Sequence, residues 1–428
     1  MDRTSCLAFK YFEKKEGDHF MKILLATYWV LPHLGGVWPF MSQLKAKLES
    51  LGHEVDLLSN ANDSQIIIED RALSKGHFLH FLDTKLTASS YPALRDNQWV
   101  YHAELERYCF ELASAYLGLE KYDVIHTQDV ISAQSINRVK PTKTPLVTHI
   151  HGSVAGEVQR YLEKRNGTPG DSLVWAYYKA IEHNGATAPD VAITANYWVK
   201  NVLKTEFDVP DEQVRVFQYG LNTEDFLKQM QEYTPVERPL DKKVIISTGR
   251  IVEIKGLQYM ISALALLKQS RDDWVYWIVG EGDEIGALQQ QTVSLGLQEH
   301  VQFLGRRDDI PQLLNISDIF VQPSIIDNQP LSLIEAQVAG IPAIVSNAGG
   351  LPEMVENGQT GLISAVGDVE TLFHHLNLLL SNEEYRKALG ANARAWGMTH
   401  WSLDLMVDRL LEVYEYAISE RGKQYGNV

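Results

Sequence analysis

Cysteine is almost missing: there are two in 428 residues, Cys6 and Cys109. They build no disulfide framework, and a reducing compartment is expected. Long apolar runs are missing too. None approaches the roughly 20 residues that a membrane-crossing helix needs. Positive charge is in deficit, with 39 Lys and Arg against 55 Asp and Glu and a net charge of −16. General binding to nucleic acid needs a basic footprint, so that class is excluded. Adsorption to anionic membranes is disfavoured, although a local basic patch leaves peripheral contact open. The expected location is the cytoplasm. The full G-x-G-x-x-G dinucleotide fingerprint is absent after the first strand, which removes support for NAD chemistry.

What is present is ordinary globular material, 45% hydrophobic and 22% charged, over a length suited to two or three domains. Residues 1–20 stand apart, with four basic and four acidic residues and no apolar piece longer than CLAF. That is too short for the core of a signal peptide, so a disordered or loosely docked extension is expected before a fold that starts at Met21. The run 21–27, MKILLAT, is nearly continuous in apolar residues, as a strand buried on both faces requires. A loop with Gly35 and Gly36 follows, then helical spacing over 37–51 and a second strand at 54–59. Strand, glycine loop, helix, strand is the opening of a doubly wound parallel sheet. Residues 60–100 read as irregular. A helix over 101–119, strands at 123–126, 145–151, 190–194 and 214–217, and a helix near 171–184 complete the first half. After a charged linker, 223–240, the pattern restarts at 243–248. Strands at 274–279, 301–304, 319–322 and 342–346 alternate with helices. Two helices close the unit near 368–381 and 383–397, and 401–417 is amphipathic. The reading is α/β, with domains at 21–222 and 241–400 and a crossover tail at 401–428. Two such halves facing each other make a cleft lined by the carboxyl ends of strands.

The stretch 327–335, DNQPLSLIE, places Asp327 and Glu335 eight residues apart. Pro330 suits the first turn of a helix, because its missing N–H would be unpaired there anyway. The helix then covers 331–339 and stops at Gly340. A helix start just after a strand is an anion site, since free N–H groups and the helix dipole point at one spot. The carboxylates suit hydroxyls of a polyhydroxylated group attached to that anion, and a sugar nucleotide has both parts. Other groups stand at strand ends: Gly35-Gly36, His126, His151-Gly152, Arg250 with Lys255, and Gly280 with Gly282. Two cations just after a strand suit a departing diphosphate. Singly, each has a plainer account: a solvated basic pair, a structural histidine, turn glycines, a carboxylate decorating a helix. Their joint occurrence in order favours one site.

In that order the motifs resemble those of the retaining glycosyltransferases of family 4, over essentially all of 21–420. Residues 249–256, GRIVEIKG, are similar to that family's G-R-[LI]-x-x-x-K-G, and 278–283 to its V-G-x-G stretch. Residues 327–335 are similar to its E-x7-E motif, with Asp327 in place of the first glutamate. The resemblance implies the GT-B fold: two Rossmann-like domains across a cleft, with the C-terminal helix crossing back to the first. It implies that Arg250 and Lys255 hold the donor diphosphate and Glu335 the nucleotide ribose. Asp327 would lie near the donor sugar's hydroxyls or the reacting face. Backbone N–H groups at Leu331 and Ser332 would meet phosphate or sugar oxygens, and Gly249 and Gly280 would border the donor. Gly35 and Gly36 would let their loop approach donor or acceptor. His151 matches the family's histidine beside the donor sugar, and His149 points the same way if the strand continues, so a swap of roles stays open.

The reaction implied is transfer of a hexose or N-acetylhexosamine from a UDP sugar, with retention, by front-face substitution. No D-x-D triplet occurs, which agrees with cations standing in for a metal. Neither metal nor cofactor is expected beyond the donor as co-substrate. The acceptor stays open between glycan, lipid-linked sugar, protein and small metabolite, with specificity expected in 28–38, 60–100 and 153–172. A nucleotide-sugar epimerase or a phosphorylase on the same fold is the rival reading, and a non-catalytic sugar-nucleotide binding protein is the rival from another class.

Overall fold

The computed structural model describes residues 20–32, 35–69, 71–87, 89–92, 97–166 and 172–425. The expected extension, Phe20 apart, lies outside them. The first eight strands are Lys22–Val30 (β1), Glu54–Asn62 (β2), Gln65–Ile68 (β3), Arg71–Ser74 (β4), Val124–Thr127 (β5), Leu146–Ile150 (β6), Val191–Thr194 (β7) and Val214–Val216 (β8). They form one sheet in the order β4-β3-β2-β1-β5-β6-β7-β8. Ile23 of β1 stands opposite Val55 on one side and Val124 on the other, both pairings parallel. The chain leaves β1 towards β2 and returns on the far side at β5. Their carboxyl ends therefore part into a crevice.

The second sheet contains Lys243–Thr248 (β9), Trp274–Val279 (β10), Val301–Gly305 (β11), Ile319–Gln322 (β12), Ala343–Ser346 (β13) and Gly361–Ser364 (β14). Its order is β11-β10-β9-β12-β13-β14. Ile245 of β9 lies between Tyr276 of β10 and Ile319 of β12, so the second crevice opens where β9 and β12 end. Helices cover both faces, which is why β10 carries Trp274, Tyr276 and Trp277 fully buried.

Three stretches differ from the sequence reading. Residues 60–100 are not irregular: β3 and β4 extend the sheet antiparallel, and the helix Gly76–Lys85 follows. Strands of four residues joined by tight turns carry too little alternation to be seen. Part of the expected loop 153–172 is the helix Val154–Asn166. The expected linker 223–240 opens with the helix Thr223–Gln229, whose N-terminus Asn222 caps.

The helix Glu383–His400 lies on the helix Leu331–Ala339, and the buried Trp401 donates its Nε1–H to Gln337 Oε1 at 2.6 Å. The chain then crosses back. The helix Leu403–Tyr425 packs on the first domain, where Tyr414 Oη meets His126 Nδ1 at 2.7 Å and Arg421 donates to Asp190 at 2.6 Å. At the crossing two connections run side by side: Leu221 N–H donates to Trp401 O at 2.7 Å, and Leu403 N–H donates to Leu221 O at 3.1 Å. One apolar cluster runs through both halves, from Ile23 and Leu25 by way of Tyr219 and Leu221 to Leu333 and Trp401.

Candidate functional site

The second crevice collects most of the expected groups. Arg250 follows the end of β9, exposed and without a hydrogen-bonding or ion-pairing partner among the described residues. Lys255 ends the turn Glu253–Lys255 and lines the same narrow crevice as Ser247, Gly249, Val279 and Gln322. Gly280 is explained by a backbone neighbour. Its φ is +141°, and a Cβ there would stand 1.8 Å from Gly249 O. Gly249, by contrast, would point a Cβ into open space, so it is the glycine that a ligand can approach.

The helix Leu331–Ala339 begins after Pro330 with no side-chain cap, and it ends at Gly340 in the left-handed conformation, as the sequence predicts. The N–H groups of Leu331 and Ser332 have no hydrogen-bond acceptor among the described residues. Ser332 Oγ leans back to Gln322 Oε1 at 3.2 Å. Glu335 stands in the helix's second turn, half-buried, and its carboxylate has no partner among the described residues. Burial pushes its pKa up to about 7. A carboxyl group desolvated yet unpaired is poised to accept hydrogen bonds from a ligand.

Asp327 is bonded to one of the two cations. Its Oδ2 accepts from Lys255 Nζ at 2.6 Å and from Gln322 Nε2 and Ser324 Oγ, both at 2.9 Å. The two side chains of the ion pair are only 17% and 12% exposed. The residue expected near the sugar and the residue expected on the diphosphate are thus partners of each other. An aspartate reaches this three-donor nest from a loop held by Gly350 N–H, which donates to Asp327 O at 2.9 Å.

From the first domain come three histidines in a row. The rings of His149 and His151 stack at 4.6 Å and 4°, and His126 lies 6.0 Å from His149. Both ring nitrogens of His151 are engaged: Nε2–H donates to Gln128 Oε1 at 2.9 Å, and Nδ1 accepts from Tyr219 Oη–H at 2.6 Å. Burial lowers its pKa to about 3, so it is a neutral ring locked in one tautomer. His149 is buried with both nitrogens unpaired. Among the described residues no group of histidines and acids has the geometry to hold a metal ion. Gly36 starts the helix Val37–Ser50 and would point a Cβ into open space, and Gly35 precedes it at the mouth of the first crevice.

Residues that the sequence left unremarked join the two crevices. The Asn328 side chain donates to His151 O, and Tyr219 N–H donates to Gln329 Oε1 at 2.9 Å. Glu353 reaches across to the first turn of the helix Tyr197–Glu206, accepting from Tyr197 N–H at 2.9 Å and Trp198 N–H at 2.8 Å. A carboxylate on a helix N-terminus suits both the free N–H groups and the dipole. Replacing Glu353 by alanine is expected to loosen the contact between the domains by about 1 kcal/mol. Small-angle scattering should then show a larger radius of gyration for the ligand-free variant. An unchanged radius would deny the clamp any role in holding the domains.

Comparison with known proteins agrees with this layout. Residues 34–225 match the family model described as Glycosyltransferase Family 4, and residues 230–396 match that of Glycosyl transferases group 1. The chain is 25% identical over 421 residues to an uncharacterized glycosyltransferase of Methanocaldococcus jannaschii, covering 94% of this chain and 100% of that one. It is 26% identical over 406 residues to the UDP-Gal:alpha-D-GlcNAc-diphosphoundecaprenol alpha-1,3-galactosyltransferase of Escherichia coli, covering 92% and 97%. Among solved structures, Anabaena HepE in complex with UDP-glucose superposes with a TM-score of 0.64 at 18% identity, over 92% of this chain and 100% of that one. With two parallel-sheet domains facing each other and a helix that returns to the first, the chain has the GT-B fold and belongs to the family 4, group 1 glycosyltransferases, enzymes that use nucleotide sugars.

Proposed function

We propose that this protein moves a hexose or N-acetylhexosamine from a UDP sugar to an acceptor hydroxyl, with retention and without a metal ion. One observation carries the reading. Two cations, Arg250 and Lys255, line the crevice between β9 and β12, and the uncapped helix that carries the unpaired Glu335 is tied to its wall by Ser332 Oγ on Gln322. Arg250, Lys255 and the N–H groups of Leu331 and Ser332 suit the diphosphate, and Glu335 suits the hydroxyls of the ribose. That three of these donors are fixed before the bond breaks favours departure of UDP with its charge already met. Attack by the acceptor on the face that UDP leaves needs no nucleophile beneath the sugar, and in this reading Asp327, held through Oδ2 by three donors, positions Lys255 rather than bonding to the sugar. The choice of uridine draws on the two relatives named with UDP or a UDP sugar.

The reading is tested by incubating the protein with UDP-glucose, UDP-galactose, UDP-N-acetylglucosamine and GDP-mannose, each with mixed glycan acceptors, with and without EDTA. UDP release and an α-linked product by NMR, unaffected by EDTA, are expected. An epimerised donor, a free sugar phosphate or an inverted product would overturn it.

Glu335 supplies a pH signature. The folded, ligand-free protein favours the protonated form, so its contribution to stability is present below the ordinary carboxylate range and lost as pH rises through about 7. Donor hydroxyls need the ionised form as acceptor. Affinity for a UDP sugar, whose diphosphate does not titrate in this range, should therefore rise between pH 6 and pH 8. In Glu335→Gln it should be flat and about 10–100-fold weaker at pH 8. Calorimetric titrations at three pH values check this, and a flat wild-type profile would remove Glu335 from the donor site.

A further inference from the structure

Beside the cleft, wholly within the first domain, lies a cavity of about 360 Å³. Its walls come from five places: Tyr28 and Trp29 at the end of β1, Trp99 and Glu106 on the helix Gln98–Tyr116, Ile131 on the helix Val130–Val139, Val154 and Glu157 on the helix Val154–Asn166, and Tyr177 and Tyr178 on the helix Leu173–Thr187. Five of the thirteen lining residues are Trp or Tyr, and none is Lys or Arg.

The walls are built rather than incidental. Asp129 Oδ2 accepts from Tyr28 N–H at 2.8 Å while Asn60 holds Tyr28 O, so the end of β1 is pinned from both sides. Trp99 is set edge-on to Tyr161 at 5.4 Å and to Tyr178 at 6.4 Å, with its Nε1–H directed to Tyr178 Oη at 3.4 Å. Tyr177 and Tyr178 meet at 5.0 Å. Lys75, itself buried, pairs with Glu106. Glu157 is exposed and has no partner among the described residues.

The cavity also adjoins the reacting groups. The helix carrying Val154 and Glu157 begins immediately after His151-Gly152, and a Cβ on Gly152 would lie 3.0 Å from Asn328 Nδ2 of the Asp327 loop.

We infer that this cavity is the acceptor subsite and that it takes a pyranose ring of a neutral glycan, with the next unit lying over Tyr161. The inference rests on the glycosyl-transfer reading, which supplies the need for an acceptor. A pyranose has an apolar face of C–H groups and a rim of hydroxyls. Rigid aromatic faces match the first, and Glu106, Glu157 and the tyrosine hydroxyls match the second. An anionic head group would meet two carboxylates and no cation. An alkyl or prenyl chain would strip water from Glu106 and the Tyr28 hydroxyl and return no hydrogen bond. Tyr161, 52% exposed, carries the aromatic surface past the mouth, as an acceptor longer than one sugar requires.

Ligand-observed NMR on the full chain tests this. The probes are methyl glycosides of glucose, galactose, mannose and N-acetylglucosamine, with n-octanol as the alkyl arm. Saturation transfer to the ring protons of at least one glycoside is expected, weakened at least 10-fold in Trp99→Ala and largely kept in Trp99→Phe. Glu157→Ala, a change at an exposed side chain, should weaken it about threefold or more. Octanol binding in place of the glycosides, binding of neither, or glycoside binding indifferent to all three variants would overturn the inference. Binding of a UDP sugar, measured on the same samples, separates the two readings. Donor binding kept while glycoside binding fails sinks only the subsite, and donor binding absent from the wild type sinks the proposed function while the glycoside arm still decides the cavity.

Discussion

Replacing Lys255 by alanine is expected to lower turnover by about 10²–10³-fold, with a smaller loss of donor affinity. The charge it would neutralise develops as UDP leaves, so its contribution is greatest in the transition state. The same substitution carries a structural penalty, because Asp327 keeps only Gln322 and Ser324 as donors. Removing one partner of a largely buried ion pair should destabilise the second domain by on the order of 2 kcal/mol. The two effects separate in a double variant. Lys255→Ala with Asp327→Asn removes the stranded charge, so thermal stability should recover while turnover stays low. Recovery of both would make Lys255 a structural cation and leave Arg250 and the helix start alone on the diphosphate. Steady-state kinetics and a thermal melt on three proteins decide it.

Gly349→Ala should be nearly as severe, through the backbone. Gly349 has φ +56°, and a Cβ there would stand 2.0 Å from Asp327 O. The contact partner is main chain and cannot swing aside. Left-handed strain and overpacking together suggest about 3 kcal/mol of destabilisation, a fall in melting midpoint on the order of 10 °C. Asp327 would move, and with it the nest around Lys255 and the Asn328 bridge to His151 O. Donor affinity should therefore fall even at temperatures where the variant is folded. A melting midpoint within 2 °C of the wild type, roughly the shift of under 1 kcal/mol, would show that the loop gives way easily and is not a fixed part of the site.

The buried parallel strands were legible because burial on both faces writes a continuous apolar run, as in β1, β9 and β10. The helix Leu331–Ala339 was legible because Pro330 and Gly340 punctuate it. The crossover was legible only through resemblance, since an amphipathic 401–417 does not say which domain it covers. The strands β3 and β4 were not, being only four residues each, too short to show a period. What no sequence spacing could reveal is which side chains meet. Lys255 and Asp327 are 72 residues apart, and His151 finds Tyr219 at 68 and Gln128 at 23. Residue types and order told which groups belong to the site. They did not tell that two of them are bonded to each other, or that both nitrogens of His151 are already taken. The aromatic cavity escaped for the same reason: its walls lie on five elements from Tyr28 to Ile181, each of which alone reads as ordinary core.

The return of the chain at Trp401 bears on how the protein is made. His126 and the face of β6 are covered by the helix Leu403–Tyr425, which leaves a ribosome only after the second domain. All eight strands of the first sheet can therefore assemble early, but their last apolar face stays bare until the whole second domain has been synthesised. The nascent first domain is an unfinished body with a reserved berth. Its completion waits on synthesis of the second half, so the half that is made first is closed after the other.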